Sequence, residues 1–295
     1  MEMIPHERGR VATVGTFDGL HRGHRRVISA LKAEASKRGL EPLVIGFDRH
    51  PLETIAPERA PRLIQSPSER TNMLYREGLS LLTLEFTHEL ASLSAAEWLR
   101  KMHDEQRVEV LIVGYDNTFG HDGTSMSIAD YVKLGKTIGV EVLEAPYEPH
   151  ASSSAVRRLI ASGDIQGANA LLGRPFTIYG TVTEGKKLGR TLGYPTANIS
   201  PSYRALLPAS GVYAVDVEMP DGNLRRGVAN VGTQPTMAKA APVRVEVHVP
   251  GFSGNLYGER LGARFLARLR DEIKFSGPDE LRRQIEEDVE ATDNL

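Results

Sequence analysis

The chain has 295 residues, 40% hydrophobic and 25% charged, with 36 basic against 38 acidic side chains and no cysteine. That length predicts two domains, each able to bury a core, and the near-neutral balance excludes broad electrostatic capture of nucleic acid. Disulfides and thiolate metal sites are excluded, which fits a reducing cytoplasm. The opening MEMIPHERGR lacks the apolar core of a secretory signal, and no apolar run reaches bilayer length. The expectation is a soluble cytoplasmic protein with no membrane partner, no nucleic-acid partner and no repeats. Monomer and homo-oligomer both stay open.

In chain order, VATVGTFDGLHRGHRRV reads as a buried strand from Val11 to Val14, a turn punctuated by Gly15 and Gly19, and a helix opening on His21, Gly23 and His24. A strand that delivers its end to a helix N-terminus builds an anion site, because the first helical turn has unpaired N–H groups and partial positive charge. His21 and His24 are three apart and share a face. Gly23 removes a side chain where phosphates would approach the backbone. The helix runs to Arg38 and stops at Gly39.

Pro42–Phe47 is a short apolar run of the kind a parallel sheet buries, and it ends at Asp48-Arg49-His50-Pro51. Ser66-Pro67-Ser68-Glu69 marks a helix start, and Leu79–Phe86 a strand. Ser94-Ala95-Ala96-Glu97 opens a helix through Met102, and Val108–Gly114 is the most apolar strand. Tyr115-Asp116-Asn117-Thr118-Phe119-Gly120 follows, then a helix near Ser125–Ile138 and a strand at Val140–Glu144. Five alternations of strand and helix predict a Rossmann-like, doubly wound parallel sheet, with ligands at the carboxyl ends of its strands. His21, His24, His50 and Asp116 occupy turns of that kind.

Ser152 or Ser153 can cap the next helix, placing Arg157 in its first turns, where it could hold a departing pyrophosphate bidentately. That helix ends at Gly163, and Asp164 caps a second one ending at Gly173. The pair reads as a helical connection over 151–174, between a first domain at 1–150 and a second at 175–295. From Arg174 the pattern changes to short alternating strands: Val212–Glu218, a turn at Pro220-Asp221-Gly222-Asn223, Arg225–Val231, and a strand with Val243, Val245, Val247 and Val249 on one face and Arg244, Glu246 and His248 on the other. These predict a small antiparallel barrel closed by a helix starting at Gly277-Pro278. In GKKLGRTLGYPTANI, the glycines and lysines could wrap phosphates. Thr196 and Asn198 point the same way from an extended segment, as hard ligands of the kind Mg²⁺ accepts.

The string GTFDGLHRGH resembles the nucleotide-binding signature of the HIGH-type nucleotidyltransferases. From Val11 to Arg174 the chain resembles the adenylyltransferase module of bacterial bifunctional riboflavin kinase/FAD synthetases. Besides that signature, FDRHP (Phe47–Pro51), GYDNTFG (Gly114–Gly120) and SSSAVR (Ser152–Arg157) match its motifs. The resemblance implies ATP contacts from Gly15, Phe17, Asp18, Gly19, His21, Gly23 and His24, and from Asp116, Ser153, Ser154 and Arg157. It implies flavin contacts from His50, Pro51, Asn117 and Phe119, and a further flavin contact is expected in the second half from Tyr257. Arg49 stands where the family usually has proline, Asn117-Thr118 where phenylalanine–arginine is common, and Ser154 where it has threonine.

From Phe176 to Leu295 the chain resembles riboflavin kinases, through GR-x-LG-Y-PTAN, VEVHVPGFSGNLYGE and the closing RDEIKF. That resemblance implies ATP contacts from Gly185, Lys186, Gly189, Arg190, Pro195, Thr196 and Asn198, with Mg²⁺ on Thr196 and Asn198 and Glu246 as base. The implied function is phosphorylation of riboflavin to FMN and adenylylation of FMN to FAD, each with ATP. His21, His24 and Arg157 would stabilise charge on the phosphates in the second step. Two alternatives compete: an enzyme with one live site, or a tRNA-ligase-like or nucleic-acid-binding protein. The second is opposed by the net charge and by the lack of a basic stripe or stacking platform.

Overall fold

Strand β1, Arg10–Val14, is buried along its whole length, and its side chains alternate between two apolar layers. Val11 packs with Ile28, Leu31, Leu74 and Ile112, while Ala12 and Val14 pack with Trp98, Leu99 and Leu111. A strand buried on both faces is what a parallel sheet sandwiched by helices requires. The structure is a computed structural model describing residues 8–115, 117–184, 193–233 and 243–295. The neighbouring strands are β2 (Glu41–Phe47), β3 (Ser80–Leu84), β4 (Val108–Val113) and β5 (Glu141–Glu144). All pair in parallel in the order β3-β2-β1-β4-β5. Helices α1 (Arg22–Arg38) and α3 (Pro67–Arg76) cover one face; α5 (Ala95–Gln106) and α6 (Ile128–Ile138) cover the other. The expected doubly wound sheet is present.

Short helices α2 (Pro51–Ile55) and α4 (His88–Ser92) follow β2 and β3 and were not expected. Helix α6 starts later than the residues near Ser125 suggested, because Ser127 and Asp130 form its capping box. Ser94 and Glu97 do the same for α5, and the Ser94 N–H and hydroxyl hold the Glu97 carboxyl below its usual range.

The remaining elements are α7 (Ser153–Ser162), α8 (Ile165–Leu172), β6 (Phe176–Thr183), β7 (Thr196–Ser200), β8 (Gly211–Glu218), β9 (Leu224–Thr233), β10 (Val243–His248), β11 (Arg260–Arg270) and a closing helix, Pro278–Asp293. The six strands form a closed antiparallel barrel in the order β10-β7-β6-β11-β8-β9. Ile178, Val215, Val231, Val245, Val247 and Phe265 point into its core, which leaves the alternate positions on the outer face.

The chain divides into two compact units: residues up to Pro61 with Pro67–Ala151, and Arg62–Ser66 with Ser152–Leu295. From Ser152 onward, the helical pair expected as a connection lies within the second unit. Its apolar residues Val156, Ile160, Ile165, Ala168 and Leu172 are at most 1% exposed and share the barrel's hydrophobic cluster. Residues 62–66 join that unit through main-chain bonds from Leu63 N–H to the Arg204 carbonyl and from Leu206 N–H to the Leu63 carbonyl, both 2.8 Å.

Gly135 sits inside α6, where alanine would favour the helix by about 1 kcal/mol. A Cβ there would lie 2.4 Å from the Val140 carbonyl oxygen, and overpacking of that kind costs about 1–3 kcal/mol. Gly135→Ala is therefore expected to destabilise the first unit on balance. The single tryptophan, Trp98, is buried there, so its fluorescence in a denaturant titration reads the change directly.

Candidate functional site

The turn leaving β1 carries two non-glycine residues in the left-handed region, Phe17 (φ 48°) and Leu20 (φ 42°), together with Gly19 (φ 88°). Phe17 and Leu20 are each 3% exposed and belong to the α1-side cluster. The turn is closed by Gly15 N–H on the Ile45 carbonyl and Leu20 N–H on the Phe17 carbonyl. It delivers His21 to the N-cap of α1, where Nδ1 accepts the His24 N–H at 3.4 Å. An accepting Nδ1 carries no hydrogen, so the neutral ring is the Nε2–H tautomer. The His21 and His24 rings stack with centroids 3.7 Å apart, and Phe17 lies 5.0 Å from His24. Asp18 is buried beside them in the same turn. Gly23 has a packing reason of its own, since a Cβ would fall 2.5 Å from the Ala151 carbonyl oxygen.

On the β2 side, His50 caps α2: its Nδ1 accepts from Leu52 N–H, Glu53 accepts from His50 N–H, and Pro51 occupies the first turn. Asp48 pairs with Arg49 at 2.8 Å and accepts from Phe86 N–H. Burial alone would raise the Asp48 carboxyl, but the Arg49 guanidinium and that N–H outweigh it and hold it below its usual value.

A residue not singled out from the sequence joins the two turns. Arg70, on α3, donates Nη1 to the Thr16 carbonyl at 2.9 Å and Nη2 to the Phe47 carbonyl at 2.6 Å. Burial lowers its pKa against the pull of Asp18 and Asp48. Nothing in the spacing of α3 distinguishes this arginine from a surface one.

Asn117 turns toward the sheet and donates Nδ2 to the Val14 carbonyl. Phe119 is 6% exposed and packs between Trp98 and Tyr131, at 4.7 and 4.4 Å between rings; its ring is a core ring. Asp116 lies outside the described residues. Tyr115 and Tyr147, at the ends of β4 and β5, contact each other at 4.8 Å while 71% and 60% exposed. Next to Tyr147, Glu148 pairs with Arg22 and Arg26 of the first turns of α1, and the Arg26 hydrogen bond leads in lowering its carboxyl pKa.

Ser153, Ser154 and Arg157 belong to the second unit. Ser152, rather than Ser153, caps α7 by accepting from Ala155 N–H, and Arg157 Nε donates to the Arg62 carbonyl at 3.1 Å.

On the barrel, antiparallel register sets Asn198 of β7 opposite Glu246 of β10, and Glu246 opposite Asn230 of β9. Their neighbours Ile199, Val245, Val247, Ala229 and Val231 point inward, so Asn198, Glu246 and Asn230 form a polar row on the outer face, with side chains about 5 Å apart from strand to strand. Asn230 donates to Glu272. Asn198 is 7% exposed, and its Oδ1 has no hydrogen-bond partner among the described residues. A buried amide oxygen beside a carboxylate and the Thr196 hydroxyl is an oxygen donor set that suits a hard cation. Among the described residues no group of three or more His, Cys, Asp or Glu could hold a metal, so any cation there would rely on these few oxygens together with phosphates. A cleft of 370 Å³ is lined by Tyr194, His248, Val289 and the acidic Glu286, Glu290 and Asp293. Tyr257 is 41% exposed. Gly185, Lys186, Gly189 and Arg190 lie outside the described residues.

Comparison with known proteins gives both halves a relationship. A family model described as FAD synthetase matches residues 3–155, and one described as riboflavin kinase matches residues 172–295. The bifunctional riboflavin kinase/FMN adenylyltransferase of Pseudomonas fluorescens is 38% identical over 97% of this chain and 93% of its own length. The chain belongs to the bifunctional riboflavin kinase/FMN adenylyltransferase family. The Bacillus subtilis member is 34% identical over 97% of this chain and 92% of its length. A crystal structure described as a macrolide-efflux protein from Streptococcus pneumoniae superposes with a TM-score of 0.89 at 34% identity, covering 99% of this chain and 96% of that one. Among the described residues here, no helix is long and apolar enough to cross a membrane. The chain is thus a two-activity transferase, an FMN adenylyltransferase in its N-terminal half and a riboflavin kinase in its C-terminal half, with ATP as substrate of both.

Arg70→Lys keeps the charge but cannot fork to both carbonyls. Losing one charge-assisted bond should cost about 1.5–3 kcal/mol of first-unit stability and slow FAD formation from supplied FMN. FMN formation from riboflavin should stay unchanged. Chromatographic separation of the flavins checks both, and equal loss of the two activities would contradict this placement of Arg70.

Proposed function

We propose that the kinase reaction takes place on the outer face of the barrel, and that the buried Oδ1 of Asn198, without a hydrogen-bond partner among the described residues and on a residue paired with Glu246, is the observation that carries this reading. The riboflavin 5′-hydroxyl oxygen attacks the ATP γ-phosphorus, the bond to the β–γ bridging oxygen breaks, and ADP leaves. Glu246 accepts the hydroxyl proton, the role a carboxylate takes when the protein's task is mainly positioning. Thr196 and Asn198 would hold Mg²⁺, which when bound neutralises charge on the phosphates.

The adenylyl transfer is placed at the turn after β1. There an FMN phosphate oxygen attacks the α-phosphorus of a second ATP and pyrophosphate leaves. The first turn of α1 offers its Arg22 and Gly23 N–H groups to the phosphates, and His21, with its proton on Nε2, can donate to a phosphate oxygen. His24, stacked on it, adds to the same electrostatic stabilisation of charge as the α-phosphate reacts. The β2-side turn with His50 and Pro51 would bear on FMN. We place both reactions in the cytoplasm, where ATP is available for the two steps.

The test separates the halves. With riboflavin, ATP and magnesium, the full chain should form FMN and then FAD. Glu246→Ala should reduce FMN formation by about 10²-fold or more, the scale of a lost acid–base group, yet still convert supplied FMN to FAD. His24→Ala should make FMN and accumulate it. A folded variant that lost both activities would contradict the assignment.

A further inference from the structure

The segment proposed to hold magnesium begins where β7 begins. The Pro195 carbonyl belongs to the peptide that leads into Thr196, so its orientation sets how Thr196 and then Asn198 leave the turn. That carbonyl lies 2.9 Å from His248 Nδ1. A carbonyl oxygen can only accept, so Nδ1 carries the hydrogen and donates. His248 stands opposite Thr196 in the β7–β10 register and two residues beyond Glu246 on the same outer face of β10. It is 8% exposed despite pointing outward from the barrel. Tyr194 meets its ring edge-on at 5.3 Å, and the Tyr194 hydroxyl donates to Glu286 of the closing helix at 2.8 Å. That helix is itself fixed to the barrel: Arg270 grips Asp288 with two bonds of 2.8 and 2.7 Å, and Arg226 donates to the Thr292 carbonyl.

A series of contacts therefore runs from the closing helix through Tyr194 and His248 to the main chain of the motif. Its last link is one hydrogen bond to the main-chain carbonyl that immediately precedes β7. We infer that His248 is a positioning residue of the kinase centre: its Nδ1–H holds the Pro195–Thr196 peptide so that the Thr196 hydroxyl and the Asn198 amide oxygen present together to magnesium–ATP. This rests on the reading that Thr196 and Asn198 form the magnesium site. His248 touches neither reacting atom, and its effect is on how magnesium–ATP binds.

Three variants of the full chain decide the matter, because an asparagine amide nitrogen can stand where Nδ1 stands and a glutamine amide cannot. His248→Leu and His248→Gln should raise the KM for magnesium–ATP in FMN formation by about tenfold, the scale of one buried hydrogen bond, with the KM for riboflavin little changed. His248→Asn should restore it to within about threefold of the parent. FAD formation from supplied FMN serves as the control for an intact protein. Should His248→Leu fail to fold, the contrast between the asparagine and glutamine variants carries the test alone. Parental magnesium–ATP dependence in the leucine or glutamine variant overturns the proposal, and so does an asparagine variant as impaired as the glutamine one. Thr196→Ala run alongside separates the two levels. If it leaves the KM for magnesium–ATP unchanged, the magnesium-site reading fails and the inference with it; if it raises the KM while His248→Leu does not, only the inference fails.

Discussion

In the first unit everything chemical hangs on a turn that must leave a buried strand and reach a helix N-cap within a few residues. Gly19 takes a left-handed conformation without penalty, but Phe17 and Leu20 take it as well. Each such residue costs about 1–3 kcal/mol. Fully burying a large apolar side chain returns about 1.5–3 kcal/mol, and both of these side chains are buried in the cluster beneath α1. The two effects are of one size, so the turn can be held by its own side chains before any nucleotide binds. The first-turn N–H groups of α1 are then fixed in advance, the condition under which they stabilise developing charge without reorganising.

The barrel reaches the same end by a different route. Strand alternation fills the inside with valine, isoleucine and phenylalanine and leaves the outer face to polar groups. On that face Asn230 has found a partner in Glu272. Asn198 has found none for its oxygen among the described residues, and an unsatisfied buried acceptor costs about 1–3 kcal/mol. A fold with a closed ladder and a continuous core has no structural use for that cost. A ligand that takes the oxygen offsets it.

The elements were legible where local chemistry decides them. Ser94–Glu97, Asp164 and Gly39 mark helix ends by their own hydrogen bonds or backbone freedom, and strict alternation from Val243 onward fixes which side of β10 faces the core. Long-range packing was not legible. The apolar stripe of α7 and α8 shows that the pair must bury a face, but not that the barrel supplies the other half. Residues 62–66 reach the second unit through main-chain bonds that leave no trace in side-chain pattern. His50 begins a helix with a cap that serine, threonine, aspartate or asparagine usually supplies, which hid α2. Of the site, the motif residues were visible as types at a spacing. Arg70 and His248 act on main-chain carbonyls far away in sequence, and such partners have no spacing to read. Phe119 was visible only as a member of a motif, whereas its burial is a property of the α5–α6 layer.

The departures from the family pattern fall within the same logic. Arg49 replaces a proline, and the freedom this adds to the turn is taken up by the Asp48–Arg49 pair and the Asp48 bond to Phe86 N–H. Asn117 replaces an aromatic residue and uses its amide to grip the last carbonyl of β1, tying the β4 turn to the strand that feeds the cap of α1. Both substitutions trade side-chain surface for contacts that anchor a loop locally. Neither touches the cap of α1, the left-handed turn before it, or the fork of Arg70. The changes therefore fall on the side-chain surface of the β2 and β4 turns, while the turn after β1 and the cap of α1 are left as they were.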